Sequence, residues 1–111
     1  MLLNTAPFCE ARPNVIHLPR TSDDEFKRRF IRTCDAMVHA RSGGETFGLA
    51  VAEFSAFNRP VLTSRDHTDG GGATFHLDTL GHKGLYYTDE ESLVELLLGF
   101  DRAAAKQRDF N

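Results

Sequence analysis

The residues best suited to chemistry fall in one run, Ser42-Gly43-Gly44-Glu45-Thr46-Phe47-Gly48-Leu49, with Glu53 shortly after it. Gly43 and Gly44 let a backbone approach a ligand closely. Placed between a strand and a helix, the amides of Thr46 to Leu49 and the positive helix end form an anion site, most naturally for a diphosphate. Glu45 would then sit at the helix mouth, where a carboxylate accepts hydrogen bonds from sugar hydroxyls. Glu53 follows eight residues later on an otherwise apolar helix. A carboxylate there needs partners, because burying it bare is costly. From spacing alone a plainer reading stands equally open: Gly-Gly before a helix is often only a tight turn, and glutamate at a helix start is ordinary dipole chemistry.

Other reactive side chains carry less. His67, His76 and His82 share a long loop with Asp66, Asp69 and Asp78. Their spacing fits no familiar ligand pattern, so no metal and no cofactor is expected. The stretch from Asp66 to Gly72 follows a strand end and is expected to shape the rim of the site. His39 reads as a satisfied core histidine rather than a catalytic one. Ser64 has no evident His and Asp partners for a hydrolase triad. Cys34 reads as core packing. Arg41 and Arg65 fall at strand ends, where facing a phosphate and facing solvent are equally open. Lys27-Arg28-Arg29 reads as a wet helix face.

These residues need elements to hold them. Residues 1–13 show no period and read as a lead-in. Asn14 to Leu18 is a short apolar run closed by Pro19, which suits a strand. Ser22-Asp23-Asp24-Glu25 has the form of a capping box, and Phe26, Phe30 and Cys34 follow as one stripe of a helix. Asp35 to Ala40 reads as a second strand, apolar on both parities and so covered on both faces. A helix is expected from Glu45 or Thr46 to about Phe57, burying Phe47, Ala50, Val51, Phe54 and Phe57. Asn58 offers a left-handed cap and Pro60 prevents continuation. Val61 to Ser64 is a third strand. A long loop from Arg65 to Gly84 has room for a short helix near Phe75 to Leu80. Leu85 to Tyr87 is a fourth strand, Thr88 or Asp89 caps the next helix, and residues 101–111 read as a polar helical tail with a frayed end. Strands alternating with helices in this rhythm specify a Rossmann-like α/β parallel sheet with flanking helices.

Composition narrows the class. The chain has 111 residues, 41% apolar and 26% charged, with nine Phe, which excludes a solvated coil. A net charge of -3 leaves no broad basic face, so nucleic acid is not an expected partner. No apolar run approaches ~18–20 residues, so no transmembrane segment is expected. Two cysteines, Cys9 and Cys34, make no disulfide framework. A soluble protein of the reducing cytoplasm is expected.

The segment Arg41-Ser42-Gly43-Gly44-Glu45-Thr46-Phe47-Gly48-Leu49-Ala50-Val51-Ala52-Glu53 resembles the signature of GT-B-fold, family-4-type retaining glycosyltransferases. That signature is a Pro-Ser step, two variable residues, Glu, Gly-Phe-Gly-Leu and a second Glu eight positions after the first. The resemblance extends over residues 14–100, taking in the strands at Asn14–Leu18, Cys34–Ala40 and Arg59–Ser64. It implies the second half of a GT-B C-terminal, donor-binding domain. Glu45 would be the catalytic residue facing the donor sugar. Ser42, Gly43, Gly44, Thr46, Phe47, Gly48 and Leu49 would line the donor, with amides around Phe47 to Leu49 on its diphosphate. Glu53 would bind the ribose hydroxyls. The implied reaction moves a hexosyl group from a nucleotide-diphosphate sugar to an acceptor glycan or other hydroxyl acceptor, with retention and without a metal or other cofactor.

The departures from that pattern shape the expectation. Arg41 replaces Pro and Thr46 replaces Gly. The Arg and Lys that the family sets against the diphosphate precede everything matched here, as do the domain's first strands and the acceptor-binding N-terminal domain. The fold is therefore expected to be incomplete and the isolated chain inactive. The strand at residues 35–40 would have to re-pair with the Val15–Leu18 strand, leave an open edge, or borrow a strand. A homodimer, or the missing N-terminal domain, is the expected partner. The alternative is a non-catalytic nucleotide-sugar-binding subunit of a split transferase. A receiver-like signalling domain is a weaker third possibility, lacking clustered acids at strand ends.

Overall fold

The computed structural model describes residues 1–40, 44–45, 47–65 and 73–111, with backbone only for residues 44–45. The chain forms two compact units, Met1–Cys34 and Asp35–Asn111.

In the first unit the expected strand at Asn14–Leu18 does not form. His17 makes one parallel bridge with Leu2, and Val15 one antiparallel bridge with Arg12. The Leu2 amide donates to the Ile16 carbonyl and the Leu18 amide to the Leu2 carbonyl, and Pro13 and Pro19, which lack amide donors, bound the run. Asn4, at a φ of 55°, pins the chain ahead of helix α1 (Asp24–Thr33) by exchanging two hydrogen bonds with the backbone of Thr21. The cap of α1 is Asp23, not Ser22; its carboxylate accepts from the amides of Glu25 and Phe26. With the cap one residue later, Glu25 cannot close the expected box and instead accepts from Arg29 at 3.1 Å. The burial also differs from the expected stripe: Ile31 is buried, Phe30 and Cys34 are half-buried, and Phe26 is exposed.

The second unit is a mixed α/β layer structure around a three-stranded parallel sheet flanked by helices, an arrangement compatible with a Rossmann-like fold. Strands β1 (Met37–His39), β3 (Val61–Ser64) and β5 (Leu85–Tyr87) lie in the order β1-β3-β5. Register is set by His39 against Thr63 and by Ser64 against Tyr87. Val61 and Leu62, on opposite faces of the central strand, are both fully buried, as a strand covered on two sides requires. A separate parallel pair joins β2 (Gly44–Glu45) to β4 (Ala73–Thr74).

Helix α2 (Leu49–Ala56) buries Val51 and Phe54. It ends as expected: Asn58 takes a φ of 55°, and the amides of Arg59 and Asn58 donate to Phe54 and Ser55 carbonyls, a Schellman closure. Helix α3 (Phe75–Leu80) runs into a 3-10 turn at Gly81–Lys83. Helix α4 (Glu90–Leu98) opens with a reciprocal cap between Asp89 and Ser92. Helix α5 (Arg102–Gln107) is capped by Asp101. The tail beyond it is not frayed. Phe110 is buried, its carbonyl accepts from the Ser55 hydroxyl at 2.7 Å, and its amide donates to Asn58 Oδ1 at 2.6 Å. Strand β1 pairs with β3 along one edge, and Val38 on it is 47% exposed. Among the described residues no helix is long and apolar enough to cross a membrane.

Candidate functional site

All three sheet strands run the same way, so His39, Ser64 and Tyr87 end at one edge of the sheet. Ligands of open parallel sheets bind beyond that edge. In sequence the Ser42–Glu53 run follows β1. Of its residues, Ser42, Gly43 and Thr46 lie outside the described residues, as do Arg41 and the loop residues 66–72 with His67.

Two expectations about the run are corrected. Glu45 is not at a helix mouth; its backbone lies in β2, paired with Thr74. The reason is Gly48, whose φ of 70° and ψ of 60° no helix interior accommodates. Gly48 is therefore the cap, α2 begins at Leu49, and the two glutamates belong to different elements. The row of amides without an intrahelical partner shifts with it. The first intrahelical bond runs from Ala52 to the Gly48 carbonyl, leaving Gly48 to Val51 in place of Thr46 to Leu49. Phe47 and Ala50, expected on the buried face, are exposed and Phe57 is half-buried; Leu49, beside the cap, is 70% exposed. Glu53 sits half-buried in the second turn of α2.

Beneath this edge lies a polar cluster. Thr63, on the central strand, is fully buried, with its hydroxyl 3.0 Å from His39 Nδ1 and 3.3 Å from His76 Nε2. The two imidazole rings stand 5.0 Å apart. The Tyr87 hydroxyl donates to the His39 carbonyl at 3.0 Å, and burial raises its pKa above the usual phenol value. His39 is thus the hydrogen-bonded core histidine that its strand position suggests. His76, grouped by sequence with the loop histidines, is instead fully buried on α3, whereas His82 is exposed in the following turn. Among the described residues no group of three or more His, Cys, Asp or Glu is placed to hold a metal ion. Thr63 escaped the sequence reading, and His76 entered it only as a loop histidine. The available signal was a threonine between apolar residues in a strand buried on both faces, which demands an internal partner.

Arg65, one of two cations considered for a phosphate, rests with Cζ 3.9 Å from the centre of the Tyr86 ring. That ring is fixed by its hydroxyl, 2.5 Å from the Gly81 carbonyl, and by Gly84, where a Cβ would come within 2.5 Å of the ring. Burial raises the Tyr86 pKa, with the nearby Arg65 charge opposing.

No family model, no curated protein and no solved structure matches the chain.

Proposed function

We propose that the chain is a donor-binding module of a retaining glycosyltransferase, taking a nucleotide-diphosphate sugar at the C-terminal edge of its sheet. One observation supports this reading most: the Glu45…Glu53 run follows β1, which ends at the ligand edge of a parallel sheet, and enters a helix whose Gly48 cap offers a row of amides. In this reading the Gly48–Val51 amides and the positive end of α2 take the diphosphate. Glu53, one turn along α2, accepts the ribose hydroxyls, and Glu45 meets the sugar from β2. Ser42, Gly43, Gly44, Thr46 and Phe47 line the donor. In the full reaction the bond from the anomeric carbon to the diphosphate breaks and a bond to the acceptor oxygen forms on the same face. The acceptor's proton passes to the released nucleoside diphosphate or to water, and fixed dipoles stabilise the departing charge. The isolated chain is proposed to bind donor without transferring it, because the family's Arg and Lys have no counterpart in it.

Val38, 47% exposed on β1 at the edge of the three-stranded sheet, favours a second reading, a nucleotide-sugar-binding subunit completed by a partner. A co-purifying protein that confers transfer would support it.

Titration calorimetry with UDP, GDP and ADP tests the binding reading. One of the three should bind, and Glu53→Gln should weaken it about tenfold or more, the cost of a hydrogen bond to a charged group. Pyrophosphate binding should be little changed by the same substitution. Equal loss for both ligands would remove Glu53 from the ribose, and no binding of any nucleotide would end the reading.

A further inference from the structure

We propose that Thr63 is a positioning residue: one buried hydroxyl ties the exit of β1 to the entry of α3 and so sets the pairing of Gly44–Glu45 with Ala73–Thr74. The connections form a closed circuit. His39, which Thr63 holds through Nδ1, is the last residue of β1, and β2 begins five residues later. His76, which Thr63 holds through Nε2, comes two residues after Thr74, the end of β4. Since β2 and β4 pair with each other, both partners of that pair trace back to the same oxygen. The hydroxyl and the His76 ring are fully buried and His39 is 8% exposed, so water cannot substitute for either bond cheaply. Tyr87 adds β5 to the circuit through the His39 carbonyl.

The hydroxyl also fixes the protons. Threonine has one proton to donate, so His39 Nδ1 and His76 Nε2 cannot both be bare acceptors. At least one of them carries a proton.

What the positioned Glu45 does rests on the donor-site reading above; the positioning itself is read in the ligand-free chain. The test compares Thr63→Val, which keeps shape without the hydroxyl, with Thr63→Ser, which keeps the hydroxyl. Amide hydrogen exchange is followed in β2 and β4, with α4 as internal reference. Thr63→Val should lose protection in β2 and β4 by about tenfold, the scale of a hydrogen bond, while α4 holds its own. Thr63→Ser should stay within about twofold of the wild type, a rescue that a purely space-filling role for Thr63 would not give. Wild-type protection of β2 and β4 in Thr63→Val would overturn the proposal. If Thr63→Val does not fold, long-range 15N spectra of the wild-type imidazoles decide instead. A proton on His39 Nδ1 or His76 Nε2 supports the circuit, and two bare nitrogens refute it. Nucleotide titration of the same samples separates the two claims. A wild type that binds no nucleoside diphosphate defeats the donor-site reading, while the exchange and tautomer results still decide the role of Thr63.

Discussion

At its C-terminal end α2 closes on the chain's own last residues, and at its N-terminal end it opens on Phe47, Gly48 and Leu49. The C-terminal end has its carbonyls taken by the Asn58 and Arg59 amides, and Asn58 and Ser55 hold residues 108–110 against it. The N-terminal end has a left-handed glycine, a row of amides without intrahelical partners and two large apolar side chains facing outward. Orphan amides at a helix start are satisfied by a cap, by water or by a ligand, and Gly48 supplies no side-chain cap. The sealed end is closed by the chain itself. Among the described residues the open end is not, and in the proposed reading it presents its amides, with Phe47 and Leu49 beside them, to the donor.

Breaking the sealed end should cost most. Phe110→Ala removes a buried ring and should destabilise the chain by about 3–5 kcal/mol, measured by urea unfolding. Asn58→Ala should come next. It loses the bonds to Phe110 and Arg108 and puts a Cβ-bearing residue without a polar side chain at a φ of 55°, for about 2 kcal/mol. Asn58→Gly should recover the conformational part of that loss and not the hydrogen bonds, which sharpens the assignment. At the open end Gly48→Ala should cost about 1–2 kcal/mol through its φ of 70°. In the proposed reading it should also weaken nucleotide binding, whereas Phe110→Ala should leave the affinity of the folded fraction unchanged.

The smallest effect is electrostatic. Asp109 ionises more readily than an ordinary carboxyl, first because Lys83 Nζ donates to it at 2.8 Å. A folded-state pKa below the unfolded value gives a contribution that is fully present above the unfolded value, about 3.9, and is lost as pH falls through the folded one. Asp109 is fully exposed, so the contribution is small. Asp109→Asn should flatten the acid limb of stability slightly, leaving neutral-pH nucleotide binding unchanged.

Much of the second unit was legible because its signals are local. Val61–Ser64, Leu85–Tyr87 and Phe75–Leu80 form where their apolar runs and flanking turn residues put them. Asn58 and Pro60 stop α2 where their backbone chemistry requires. Neighbouring residues of similar chemistry are harder to separate. Ser22 and Asp23 are both good caps, and the spacing of Phe26, Phe30 and Cys34 does not announce that Ile31 is the residue buried on α1. Gly48 was legible as a close-approach residue but not as a left-handed cap, so Glu45 was put on the wrong element. Non-local pairing was the least visible. Nothing in the spacing of Thr63, His39 and His76, or of Glu45 and Thr74, announces that they meet. Nor does a polar tail announce that its one aromatic residue returns to the core.

The most direct test of the central claim is an amide NMR spectrum of the chain titrated in turn with UDP, GDP and ADP. The account predicts dispersed signals, with one nucleotide shifting the amides from Glu45 to Glu53 and leaving those of Asn58 and Phe110 still. A dispersed spectrum indifferent to all three nucleotides, or shifts confined to the sealed end of α2, would contradict it.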